Sequence, residues 1–267
     1  MTKRKKLIAA NWKMYPAPVA LGAPVQGKPS MEALKAYRGT PEVDAIVFPT
    51  FLDIPKVLKA GLIVGAQYGH PEESGAHTGD VSMKMVKDAG CTHVLCGHSE
   101  RRKDHGETNT FVAAQVLSAL KNDLHPILCI GETWEEKKAG HSKKVVQEQL
   151  DIVLRALPSH DSPLTIAYEP VWAISGGDAT KPAASAAEAE EMHAFIRELL
   201  KASRHAEPFD KLRTGFVEAR ILYGGSMKPE NAEELLRQPN IDGGLVGGAS
   251  LDPVKFQKIV ETAAKHS

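Results

Sequence analysis

"HPILCIGETWEEKKAGHSKKVVQEQLDIVLRALPSHDSPLTIAYEP" (residues 125–170) decides the fold. Its two apolar runs, 125–130 and 164–168, are continuous rather than alternating. Each therefore reads as a strand covered on both faces. Between them, Ser142–Ala156 is amphipathic at helical spacing. An apolar strand, a helix and another apolar strand make a parallel crossover unit.

The same alternation runs through the whole chain. Further strands are expected at 6–10, 44–48, 62–66, 93–96, 219–223 and 243–246. Helices are expected at Met31–Tyr37, Leu52–Ala60, Ser82–Ala89, Thr110–Lys121, Glu188–Ala202, Glu230–Arg237 and Pro253–Lys265. Eight strand–helix units in 267 residues match a closed (β/α)8 barrel, with 1–267 as one domain. An open doubly wound sheet usually carries G-x-G-x-x-G after its first strand, and "AANWKM" (9–14) has none. Ser185 and Glu188 have capping-box spacing, and Pro229 suits a first helical turn. Two stretches look like additions: 15–30, and an insertion at 205–216 between the sixth helix and the seventh strand.

The composition, 42% hydrophobic and 25% charged, is that of a globular protein, and the net charge is +0. No strong field draws the chain to nucleic acid or membrane, so an anionic ligand must be held by a local site. Cys91, Cys96 and Cys129 are odd in number and read as reduced, buried thiols of a cytoplasmic protein. The run Leu7–Ala10 is too short for a secretory leader, whose apolar core needs roughly 7–15 residues. No stretch approaches the ~18 apolar residues of a membrane span.

In a parallel barrel, chemistry collects at the C-terminal ends of the strands. Those ends carry Asn11 and Lys13; His98, Ser99, Glu100, Arg101 and Arg102; Gly131 and Glu132; Glu169; Gly224, Gly225 and Ser226; and Gly247 and Gly248. Singly, the lysine reads as a solvated cation, "HSERR" as a charged loop, and a glutamate before proline as a turn residue. Together they place a lysine, a histidine and a glutamate on one face beside two glycine turns. Small residues let main-chain N–H groups converge on an anion.

"AANWKM" (9–14), "CGHSERR" (96–102), "LCIGET" (128–133), "AYEPVWAI" (167–174), "ILYGGS" (221–226) and "GLVGGASL" (244–251) resemble the triosephosphate isomerase family, in family order and over essentially the whole chain. The resemblance implies a TIM barrel that interconverts dihydroxyacetone phosphate and D-glyceraldehyde 3-phosphate. It implies Glu169 as catalytic base and His98 as the neutral electrophile at the substrate carbonyl. Lys13 would be the cation beside the substrate, with Asn11 as its neighbour and Glu100 as a supporting acid. Main-chain N–H groups at Ser175, Ser226, Gly247 and Gly248 would hold the phosphate, and Val171–Lys181 would close over it. No metal and no organic cofactor is implied. The partners implied are a small phosphorylated three-carbon sugar and a second copy of the chain, a homodimer formed through loop 65–80.

Three features depart from the family pattern. The loop tip reads "ISGGD" (174–178) where Ile-Gly-Thr-Gly-Lys is more usual, Tyr15 stands where asparagine is usual, and the stretch after Pro182 is longer than expected. Two alternatives follow: another phosphate-binding barrel isomerase, or an inactive barrel serving as a binding or scaffold protein.

Overall fold

The structure, a computed structural model, describes residues 4–17, 31–159, 161–174, 184–203 and 219–267. Eight parallel strands are present: β1 (Lys6–Asn11), β2 (Val43–Phe48), β3 (Gly65–Ala66), β4 (His93–Cys96), β5 (His125–Ile130), β6 (Thr165–Tyr168), β7 (Ile221–Tyr223) and β8 (Gly243–Val246). They run in the order β2-β1-β8-β7-β6-β5-β4-β3. A parallel bridge from Val47 to Val64 and a bond from Val47 N–H to Ile63 O (2.9 Å) join the two ends. The sheet is the closed (β/α)8 barrel expected.

The helices are α1 (Met31–Lys35), α2 (Ile54–Lys59), α3 (Met83–Asp88), α4 (Ser99–His105), α5 (Asn109–Lys121), α6 (Trp134–Lys138), α7 (Ser142–Ala156), α8 (Ala186–Ala202), α9 (Pro229–Leu236) and α10 (Pro253–Lys265). The continuous apolar strands have a simple cause. Leu7, Ala9, Ile46, Phe48, Leu95, Ile127, Cys129, Ala167, Leu222 and Leu245 fill the barrel interior. Their neighbours Ile8, Ala10, Val47, Val94, Leu128, Ile130, Ile166 and Val246 pack outward under the helices. Each large side chain so buried contributes roughly 1.5–3 kcal/mol. Two residues beyond Ala9 and Ala167 the same inward register reaches Asn11 and Glu169, and so aims them into the barrel mouth.

Several expected boundaries move. β3 is confined to Gly65–Ala66, because the Phe48 ring fills the space a side chain at Gly65 would need and Ile63 turns half-exposed to the outside. β7 starts at Ile221 rather than Ala219. The short helices α4 and α6 precede the main helix of their units. Both have no buried side chain of their own, hence no apolar period to read. The capping box forms: Glu188 N–H donates to Ser185 Oγ (3.2 Å) and Ser185 N–H to Glu188 Oε2 (3.0 Å), so α8 starts two residues before the expected Glu188. Pro229 is the first residue of α9. All three cysteines are free and buried. The insertion 205–216 and most of 15–30 lie outside the described residues.

Candidate active site

A cleft of about 900 Å³ opens at the C-terminal ends of the strands. Asn11, Lys13, His98, Glu100, Glu169, Ser226, Gly247 and Gly248 all line it. Residues drawn from five strand ends are thus brought together, as the sequence leads one to expect. Ser175 lies outside the described residues.

Lys13 adopts φ 52°, a left-handed backbone rare for a side chain of this kind. The strain is held on both sides: Lys13 N–H donates to Asn11 Oδ1 (3.0 Å), and Gln67 Nε2 donates to Lys13 O (2.8 Å). Gln67 also reaches Phe48 O at 2.9 Å, stapling this turn to the end of β2. The ammonium pairs with the Glu100 carboxylate. Gln67 escapes sequence reasoning; its signal is a lone polar residue straight after the apolar run of β3.

Gly97, at φ 71°, takes a backbone that L side chains avoid and turns the chain from β4 into α4. His98 is thereby the N-cap of α4, and its Nδ1 accepts the Glu100 N–H (3.3 Å). A nitrogen that accepts from a main-chain N–H has a lone pair there, so the neutral ring holds its proton on Nε2. Nε2 sits 3.0 Å from the acceptor Glu169 Oε1; Asn11 Nδ2, 3.3 Å away, is itself a donor and makes no hydrogen bond to a protonated Nε2.

Glu169 is 1% exposed. Its main chain is fixed by Glu169 N–H to Ile130 O (2.7 Å), and Gly224 lets its side chain lie flat, since a Cβ there would come within 2.7 Å of Glu169 Cγ. Oε2 accepts the Ser99 N–H at 2.8 Å. Oε1 is buried without a directed hydrogen-bond donor, because the His98 ring N–H is close but not aimed at it. A buried carboxylate oxygen left open in a cleft is available for a proton.

Behind Glu169, Val171–Ala173 form a short 3-10 turn anchored on Glu132. Glu132 O accepts Val171 N–H (3.1 Å), Oε1 accepts Trp172 Nε1–H (2.8 Å), and Tyr168 OH donates to the carboxylate (3.2 Å). Lys137 Nζ lies 3.2 Å over the Trp172 ring. Sequence reasoning places Glu132 at a strand end without a role; here its buried carboxylate fixes the root of the loop. The Ser226 N–H, expected at a phosphate, donates to Ala173 O at 3.2 Å. An anion at this N–H would have to displace the Ala173 carbonyl, so the two acceptors compete for one donor. Gly247 and Gly248 lie where β8 passes into a short 3-10 turn, Gly248–Leu251.

A buried carboxylate, an imidazole, a lysine and two glycine turns at the mouth of a (β/α)8 barrel define a barrel enzyme of the acid–base isomerase class. A family model described as triosephosphate isomerase matches residues 6–263. The chain is 43% identical to the triosephosphate isomerase of Magnetococcus marinus, over 97% of this chain and 98% of that one. It is 42% identical to that of Moorella thermoacetica (96% and 98%) and 41% identical to that of Herminiimonas arsenicoxydans (97% and 100%). The chain belongs to the triosephosphate isomerase family.

Proposed function

We infer that this protein interconverts dihydroxyacetone phosphate and D-glyceraldehyde 3-phosphate, serving glycolysis and gluconeogenesis as a cytoplasmic homodimer. Glu169 takes a proton from the carbon next to the carbonyl. The electron pair left behind forms the enediolate double bond, and charge moves onto the carbonyl oxygen. His98 Nε2–H and the Lys13 ammonium stabilise that oxygen, and Asn11 completes the polar wall. A proton also passes from the hydroxyl oxygen on the first carbon to the former carbonyl oxygen, relayed by His98 Nε2, and Glu169 returns its proton to the adjacent carbon, so atoms and charge balance without a redox partner. Main-chain N–H groups at Ser175, Ser226, Gly247 and Gly248 hold the phosphate. The loop beginning at Val171 closes over it and keeps water from the intermediate.

The observation that carries this reading is the Glu169 carboxylate 3.0 Å from His98 Nε2, both buried at the cleft floor beside Lys13. Another phosphate-binding barrel isomerase would use the glycine turns but leave this Lys–His–Glu set without a purpose. The unusual tip 174–178 favours an inactive scaffold only weakly, because it removes no acid–base group.

The dimer is supported by loop 65–80 and by the exposed apolar side chains near Lys13. Met14 is 93% and Leu52 87% exposed, and Tyr15 and Phe51 are exposed beside them. Grouped apolar side chains of this size are normally covered. Among the described residues no helix is long and apolar enough to cross a membrane. Purified protein should convert either triose phosphate to the other without added metal or cofactor. Absence of conversion in both directions would contradict the assignment.

A further inference from the structure

The loop between β3 and α3 holds a cluster that the isomerase chemistry does not use. Its two ends are tied by His70 N–H to Val81 O (2.8 Å) and Met83 N–H to His70 O (3.1 Å). Within this clasp, one nitrogen of His70, one of His77 and one oxygen of Asp80 all lie within 4.8 Å of one another. The imidazole rings are 4.1 Å apart at 32°.

We propose that His70, His77 and Asp80 form a binding site for a divalent first-row transition ion, with Zn²⁺ as the best fit. Two imidazoles and a carboxylate are a common zinc donor set, and three protein ligands leave a position for water. The outer partners are already in place. Glu72 Oε2 is 3.2 Å from His77 Nε2, the carboxylate–histidine arrangement that orients a ligating ring through its other nitrogen. The Tyr68 hydroxyl donates to Asp80 Oδ1 (3.3 Å), which leaves Oδ2 facing His70 Nε2 at 3.9 Å. The Arg101 guanidinium, 3.6 Å over the Tyr68 ring, holds that side chain in place.

One bond is given up. His70 Nδ1 now accepts the Glu72 N–H (3.1 Å). Coordination through Nε2 moves the ring proton to Nδ1 and releases that N–H to water. Three coordination bonds then replace one hydrogen bond, and the ion joins residues 70, 77 and 80 across the loop. All three ligands come from one chain, within the loop 65–80 through which the dimer is proposed to form.

Untagged protein is stripped with a chelator and titrated with Zn²⁺ by calorimetry, and with Co²⁺ by visible absorption. One ion per chain should bind, with Co²⁺ bands in the visible. Affinity should fall as pH drops through the imidazole range, where protons compete for the rings. His77→Phe keeps a ring against His70 and removes a ligand. Asp80→Asn removes the charge at nearly constant shape. Each should weaken binding by at least about tenfold, while His141→Ala, on the exposed histidine before α7, should leave it unchanged. No binding to wild-type protein, or binding equally tight in His77→Phe and Asp80→Asn, overturns the proposal.

Discussion

The Glu169 carboxylate is docked on the first turn of α4: its Oε2 accepts the main-chain N–H of Ser99 at 2.8 Å. A helix N-terminus stabilises a carboxylate, so this is a resting position for a base. Ser99 holds only Oε2; Oε1 stays open, and in the proposed mechanism Glu169 swings from Ser99 to bring it to the substrate carbon. It is joined through Pro170 to the 3-10 turn whose Ala173 carbonyl occupies the Ser226 N–H. In the proposed mechanism phosphate claims that N–H, which frees the turn and lets Glu169 move with it. Binding of the remote phosphate and positioning of the base are thereby linked.

The His98 ring should carry its proton on Nε2 and none on Nδ1, since the Glu100 N–H occupies Nδ1 (3.3 Å). Nitrogen-15 NMR of ring-labelled protein reads the tautomer directly. An imidazolium, or a proton on Nδ1, contradicts the geometry.

Acid should weaken the fold through three histidines held neutral, His193 fully buried and His93 and His125 half-buried. Burial lowers His193 to about 4, lowers His125 to about 4, and lowers His93 to about 3 from an ordinary 6.5, with the neighbouring His125 adding to the last. Between 6.5 and about 4 the unfolded chain takes up protons that the folded chain refuses. Stability from these groups is therefore full above 6.5 and is lost as pH falls toward 4, by at most about 1.4 kcal/mol per pH unit for each histidine. In denaturant titrations at fixed protein concentration, His193→Phe should remove about one proton's worth of that slope. An unchanged slope would show that His193 does not stay neutral in the fold.

Sedimentation should give a dimer, and Thr78→Arg at the exposed tip of loop 65–80 should give a folded monomer. The family resemblance seats this loop of one copy beside Lys13 and the HSER segment (98–101) of the other, so the monomer would leave Lys13 and Glu100 uncovered. A misplacement of about 1 Å can cost on the order of 10²-fold in rate, so turnover should fall at least that far. A fully active monomer would remove the dimer from the mechanism.

How far the sequence carries depends on what each residue does. Asn11 and Glu169 are legible because they continue the two-residue alternation of β1 and β6, at the last residue of β1 and just past the end of β6. His98 is legible only as part of a motif, since its orientation follows from the turn at Gly97 rather than from strand register. Gln67 and Glu132 act through hydrogen bonds to residues distant in sequence, at 2.8 Å to Lys13 O and 2.8 Å to Trp172 Nε1, and no local pattern announces such contacts. β3 is overread because its apolar run continues where the Phe48 ring takes the space inside. α4 and α6 are missed because helices with no buried face carry no period.

The insertion 205–216 should be dispensable. The flanking elements, the end of α8 and the start of β7, meet at the N-terminal face of the barrel, opposite the cleft. A closed loop costs only about 0.6 kcal/mol per doubling of its length. Joining Arg204 to Val217 through a short glycine linker should leave kcat/KM within a few-fold. Loss by orders of magnitude in a folded protein would place the insertion in the site or the assembly.

Glu169→Gln tests the central claim most directly. The amide keeps the shape of the side chain and removes the base. Turnover of dihydroxyacetone phosphate and of D-glyceraldehyde 3-phosphate should fall by about 10²–10⁴-fold or more, with the circular dichroism and the affinity for an unreactive triose phosphate analogue unchanged. Turnover within a few-fold of wild type would contradict the assignment of Glu169 as the base that moves the proton.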